Sequence, residues 1–213
     1  SKIEAGRIEF ERTNFDLEQL LATITETFKV MANNKNIEMR SQVEPGIHTS
    51  LIGDPARLTQ ILNNLLSNAI KFTDNGFVAL TVRLKEESKN TIQLIFEVQD
   101  TGIGIPEDRV DTIFESFTQA SGSTKRLYGG TGLGLTISKQ LTELQGGKLW
   151  VESKQGEGTR FFVVLNFTKT DEKIIKVEPG ASADDDESAL FGIKVLLAED
   201  NIVNQKVMNR FLE

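Results

Sequence analysis

Between Pro55 and Phe72 the residues Leu58, Ile61, Leu62, Leu65, Leu66 and Ala69 recur at helical spacing and form one apolar arc. Such an arc is stable only against another layer, so the helix it defines must lie on a core. Beside it, Arg57, Asn64, Asn68 and Lys71 fall at i, i+7, i+11 and i+14 and line one narrow strip. Asparagine is a mediocre helix former, so a pair of them four residues apart at the margin of a buried face needs a reason. Two readings are open. Both amides satisfy local backbone groups or water, or they hold Mg²⁺ and phosphate oxygens with Lys71 adding a positive charge. Magnesium takes neutral or anionic oxygens together with waters and substrate phosphates, which an amide carbonyl suits.

The rest of the chain supplies a sheet for that helix. A first helix is expected over about residues 15–33, capped by Thr13 or Asn14, with the stripe Leu17, Leu20, Leu21, Ile24, Phe28 and Met31. Ile37–Val43 alternates as a strand, Pro45-Gly46 turns it, and His48–Ile52 is expected as a short partner strand. Phe77–Lys85 and Thr91–Gln99 read as an antiparallel pair joined by the charged turn Glu86–Asn90. A third helix over about 132–145 ends at Gly146-Gly147, and Lys148–Ser153 with Thr159–Phe167 form another hairpin. These elements predict an α/β two-layer sandwich, a mixed and mainly antiparallel sheet with three helices on one face.

Several further stretches bear on chemistry. Tyr128–Leu135 packs four glycines into six residues and opens the third helix. A loop of that kind lets backbone approach a ligand and presents N–H groups and the positive end of a helix dipole, which suits phosphate; it also serves as a plain turn. Asp100-Thr101-Gly102-Ile103-Gly104-Ile105-Pro106 ends an apolar strand. A carboxylate there either closes an Asx-turn or accepts a hydrogen bond from an amino group deep in a pocket, such as the exocyclic amine of adenine. Gly156-Glu157-Gly158-Thr159 reads on its own as a hairpin turn. Ile113, Phe114 and Phe117 read as the packing side of a short helical piece near Arg109–Phe117. The stretch Thr101–Gly130 is otherwise irregular, and its length marks it as functional or mobile.

The formal charge of −7 argues against nucleic-acid binding through a general basic field. The absence of cysteine excludes disulfides, a thiol nucleophile and a cysteine-ligated metal. No apolar run approaches the ~20 residues that span a bilayer. Residues 169–191 are polar and acidic, with the run Asp184–Glu187 among them, and read as a linker. Beyond it Ile193–Ala198 reads as a buried strand, followed by Glu199, Asp200 and a helical start.

Taken in order, these pieces resemble the ATP-binding domain of sensor histidine kinases, within the fold family shared with gyrase, Hsp90 and MutL. Asn64–Thr73 matches the N box, Asp100–Gly104 the first glycine box, Phe114–Phe117 the F box and Gly130–Leu135 the second glycine box, while Gly156–Thr159 sits where the last box belongs. The resemblance implies a Bergerat-type ATP-binding fold over residues 14–168, preceded at 1–13 by the end of a dimerisation helix and its connector. After the linker, residues 192–213 resemble the truncated start of a receiver domain, with Glu199 and Asp200 matching its acidic pair. The implied ligands are ATP and Mg²⁺. Asn68 is the implied metal ligand, with Asn64 and Lys71 on phosphate and Phe72 against the adenine ring. Asp100 accepts from the adenine amine, and Gly102, Gly104, Gly130, Thr131, Gly132, Leu133, Gly134 and Thr159 shape the rest of the site. Arg126 is the implied lid arginine reaching the γ-phosphate, and the stretch 101–130 is the implied lid.

The ATP-hydrolysing relatives use a glutamate where this chain has Asn64, and an amide is no base near neutral pH. The expectation is a domain that holds ATP, hydrolyses it slowly and offers the γ-phosphate to an incoming histidine. The single histidine, His48, reads as a surface or packing residue. The chain opens without methionine at Ser1–Gly6, which resembles the last turn of the acceptor-bearing helix, so it is expected to be cut from a longer hybrid kinase. The piece is expected to bind nucleotide as a monomer without phosphorylating itself. Its implied partners are the phosphoacceptor helices of the same kinase and a receiver domain, its own or separate, with no nucleic acid. A cytoplasmic location is implied, with room for a membrane anchor elsewhere in the parent. Two rivals are a hydrolytic conformational machine of the gyrase or Hsp90 type and a non-catalytic interaction domain.

Overall fold

The computed structural model describes residues 10–115 and 133–171, all within the first of two units into which the chain divides, Ser1–Ile174. Seven strands form one open sheet: β1 (Thr13–Asp16), β2 (Glu38–Val43), β3 (Ser50–Gly53), β4 (Phe77–Glu87), β5 (Thr91–Asp100), β6 (Lys148–Lys154) and β7 (Gly158–Lys169). Their order is β1-β3-β7-β5-β4-β2, with β6 also paired to β7. The β2–β4 pair is parallel and the others are antiparallel. The helices are α1 (Leu17–Asn33), α2 (Pro55–Phe72) and α3 (Gly134–Leu144), as expected three in number among the described residues.

The core lies between the helices and one sheet face. Alternate residues of β4, β5 and β7, including Val78, Leu80, Val82, Leu94, Phe96, Val98, Val163 and Leu165, meet the α2 arc of Leu58, Ile61, Leu62, Leu65, Leu66 and Ala69 in one buried cluster. The expected α2 arc and span both hold. Asp54 caps its start, accepting from the Arg57 N–H at 2.9 Å, and Pro55 follows in the position where its missing N–H costs nothing. At the other end the Lys35 ammonium donates to the Ile70 and Thr73 carbonyls, each at 2.9 Å, and so satisfies groups the helix leaves free.

Four local expectations are corrected. The cap of α1 is Asp16, whose carboxylate accepts from the Gln19 N–H at 3.0 Å; Thr13 and Asn14 belong instead to β1, paired with Gly53 and Ile52. Along α1, Ala32 is buried where Met31 was expected, because the spacing Leu17, Leu21, Ile24, Phe28, Ala32 follows the helical repeat more closely. The strand near His48 does not pair with β2. Chain direction explains this: α2 carries the chain over the sheet between β2 and β4, the crossover that parallel pairing needs, while β3 joins β1 and β7. The short helical piece is a 3₁₀ turn at Glu107–Arg109 followed by turns through Phe114. No helix among the described residues is long and apolar enough to cross a membrane.

Candidate functional site

Three segments converge at one end of the sheet: the last turns of α2, the loop after β5 and the β6–β7 turn. The Phe72 carbonyl accepts from the Ile103 N–H at 3.2 Å. A Cβ at Gly102 would lie 2.2 Å from that same carbonyl oxygen, so only glycine allows the loop to pass so close to α2. On the other side the Ile103 carbonyl accepts from the Gly156 N–H at 2.8 Å. Gly104 sits at φ +66° with its α-carbon against the Lys154 carbonyl, a conformation and an approach that both favour glycine.

Asp100 closes β5 and is 5% exposed. Its Oδ1 accepts from the Gly102 N–H at 2.9 Å, so the Asx-turn is real. Burial raises its carboxyl above the ordinary range, while the backbone N–H bonds from Gly102 and Thr159 pull the other way. A buried carboxylate with acceptor capacity to spare is a receptor for a neutral donor. Thr159 lies directly opposite Asp100 on β7 and is itself buried.

Asn64 and Asn68 are half-buried one turn apart on α2. The Asn64 amide donates to the Ser138 hydroxyl on α3 at 2.9 Å. Its oxygen would lie 2.1 Å from a Cβ at Gly134, so the first residue of α3 rests on the Asn64 side chain. The Lys71 ammonium lies 5.0 Å from the centre of the Phe72 ring, within cation–π range. Leu133 precedes α3 as its N-terminal flanking residue. Phe114 packs edge-on against Phe161 with ring centres 6.3 Å apart, and its carbonyl accepts from the Thr136 hydroxyl at 2.9 Å. The described beginning of the 101–130 stretch is therefore tied to α3.

The described residues thus bring Phe72, Gly102, Gly104, Asp100 and Thr159 together at the end of β5, and join Asn64 to Gly134 and Ser138 further back along α2, the helix that also carries Asn68 and Lys71. Phe117, Arg126, Gly130, Thr131 and Gly132 lie outside the described residues, as do Glu199 and Asp200 and most of the residue 169–191 linker. Sequence reasoning missed Ser138 and Thr136, which fix the α2–α3 and loop–α3 contacts. Their only sequence signal is that Ser138 follows Gly134 by one helical turn. His48 is a packing residue: its Nε2 donates to the Thr170 carbonyl at 2.9 Å, tying the β3 approach to the end of β7.

The chain is 45% identical over 170 residues to the sensor histidine kinase GacS of Pseudomonas protegens, covering 80% of this chain and 18% of GacS. It is 35% identical over 213 residues to the autoinducer 2 sensor kinase/phosphatase LuxQ of Vibrio parahaemolyticus, covering 99% of this chain and 25% of LuxQ. It therefore spans a quarter or less of the length of these relatives. Among solved structures, full-length ShkA in complex with AMPPNP superposes with a TM-score of 0.68 at 34% identity, covering 79% of this chain and 34% of ShkA. The nucleotide-free catalytic domain of histidine kinase ThkA gives 0.57 at 28% identity, covering 76% of this chain and 99% of that domain. Residues 53–169 match the family described as histidine kinase-, DNA gyrase B- and HSP90-like ATPases, and this chain belongs to that family.

Proposed function

We propose that this chain is the ATP-binding catalytic domain of a hybrid sensor histidine kinase. It offers the γ-phosphate of ATP to a histidine on a separate helical domain, for relay to a receiver aspartate. The observation that most supports the reading is that one helix, α2, meets both the loop that follows the buried Asp100, through Phe72, and the start of α3, through Asn64. In this reading Asp100 accepts from the adenine amine beside Thr159, and Phe72 lies along the base. Gly102 and Gly104 let the loop close, and Asn64, Lys71 and the α3 start face the phosphates. Arg126 and the segment Gly130–Gly134 complete the phosphate end. The ShkA structure with AMPPNP supports an ATP-type ligand.

The donor set fits magnesium. Asn68 is half-buried on α2, and its amide carbonyl suits a hard cation that arrives with phosphate oxygens and waters. Bound there, Mg²⁺ would neutralise charge on the β- and γ-phosphates. Asn64 orients rather than deprotonates: its amide N–H is committed to Ser138, and it has no basic lone pair near neutral pH. On this reading Asn64 does not activate water, and the γ-phosphate goes instead to an imidazole nitrogen brought in line with it. The proposed partners are the phosphoacceptor helices and a receiver domain, at a cytoplasmic location. Calorimetric titration with a non-hydrolysable ATP analogue, with and without Mg²⁺, should show saturable, magnesium-dependent binding. Adding a helical fragment bearing the acceptor should then give phosphohistidine from ATP. Steady phosphate release without that fragment would instead favour the hydrolytic members of the family, and no binding at all would sink the reading.

A further inference from the structure

Ser153 on β6, Thr159 on β7 and Asp100 on β5 stand directly opposite one another, so the pleat puts all three side chains on one face in a single row. All three line one open groove. The Ser153 hydroxyl makes three contacts. It donates to the Gly158 carbonyl at 2.8 Å, accepts from the Ile105 N–H at 2.8 Å and meets the Thr159 hydroxyl at 3.0 Å. A hydroxyl carries one proton. With that of Ser153 on the Gly158 carbonyl, the third contact requires the Thr159 proton. Thr159 stands between its two neighbours, so its proton points toward Ser153 and its lone pairs are left for the Asp100 side.

From this we infer that Ser153 is a positioning residue that sets base selectivity. By holding the Thr159 proton, it makes the Asp100 side of the groove a pair of acceptors. Two acceptors there welcome an amino-bearing purine and reject one with an oxo group at the same position. The same serine pins Ile105, and with it the loop that follows Asp100. The inference rests on the reading that this end of the sheet receives the nucleotide base.

The test compares ADP and IDP by calorimetric titration of the 213-residue chain. Wild type should favour ADP. In Ser153→Ala the Thr159 proton is free to turn toward an oxo group, so the ADP-over-IDP preference should fall roughly tenfold, the size of one neutral hydrogen bond. Ser153→Thr, which keeps the hydroxyl, should restore the preference. A merely structural role would weaken both nucleotides by the same factor, and an unchanged ratio in Ser153→Ala overturns the inference while leaving nucleotide binding intact. If wild type binds neither nucleotide, the underlying reading fails and this one with it. Should Ser153→Ala not fold, Ser153→Cys, of similar shape and weaker hydrogen bonding, is read on the same ratio.

Discussion

Asp100→Asn tests the base end of the proposed site in two opposed ways. Asp100 takes N–H donors from Gly102 and Thr159, and a carboxylate keeps acceptor capacity beyond these for a ligand amine. Asparagine is nearly isosteric but has one acceptor oxygen, so its NH₂ must face either a backbone N–H or the ligand amine. Losing a charge-assisted hydrogen bond to a buried group costs about 2 kcal/mol, roughly thirtyfold in ADP affinity. Ligand-free stability should respond differently. Burial raises the folded-state pKa of Asp100 above the ordinary 3.8, so the folded protein binds this proton more tightly than the unfolded chain does. The stability this group contributes is complete below the unfolded value and is lost as pH rises through the folded one. Whatever constant offset the amide introduces, the melting temperature of Asp100→Asn relative to wild type should climb between about pH 4 and neutrality. Calorimetry gives the affinity, and thermal unfolding across pH gives the trend. Unchanged ADP affinity would remove Asp100 from the site, and a flat or inverted pH trend would refute its burial as an ionisable group.

Three more outcomes follow from single contacts. Gly134→Ala places a Cβ 2.1 Å from the Asn64 oxygen and should destabilise by about 1–2 kcal/mol net of its gain in helix propensity, with weaker nucleotide binding; an unshifted melting curve would contradict that close approach. Gly104→Ala combines φ +66° with a backbone oxygen 2.1 Å away and should cost about 2–4 kcal/mol; Gly46→Ala, at φ +86° in open space, should cost only about 1, and equal losses in denaturant melts would refute the role of the Lys154 carbonyl. Asn68→Ala should make binding of the ATP analogue indifferent to Mg²⁺, and a variant that keeps its magnesium dependence counts against Asn68 as the ligand.

The sequence was most readable where structure is local. The α2 span from Pro55 to Phe72 followed from the apolar arc, and the structure adds the Asp54 cap, both acting within a few residues. The β4–β5 and β6–β7 hairpins were readable for the same reason. The pairing of β3 was not: a short alternating strand carries no sign of its partners, and β3 sits between β1 and β7 while β2 pairs in parallel with β4 instead. The true cap of α1 was hidden because Thr13 and Asn14, both good caps in isolation, are taken up by a strand whose partner lies 40 residues away. Ser138 and Ser153 escaped notice for a deeper reason. Each is a common residue whose importance comes from one partner, 74 residues away for Asn64 and 48 for Ile105. Box motifs mark what touches a ligand and leave unmarked what holds those residues still.

The two ends of the proposed site are built by different means, and that difference bears on the chemistry. The base end is a cross-strand row, Asp100–Thr159–Ser153, locked by ladder hydrogen bonds and by a loop hydrogen-bonded both to α2 and to the β6–β7 turn. It is preorganised before any ligand arrives, so binding there meets little ordering cost. The phosphate end depends on a helix–helix contact, Asn64 with Gly134 and Ser138, and on the Thr136 bond that ties α3 to the Phe114 carbonyl. A shift of α3 by an ångström would break the Asn64–Ser138 bond, whereas the base row is held by its own ladder of strand pairs. On the proposed reading, the domain keeps its nucleotide through the base row while the position of α3 governs how the γ-phosphate is presented. A kinase of the proposed kind, which waits for a partner histidine and must not let water react first, needs that division of labour.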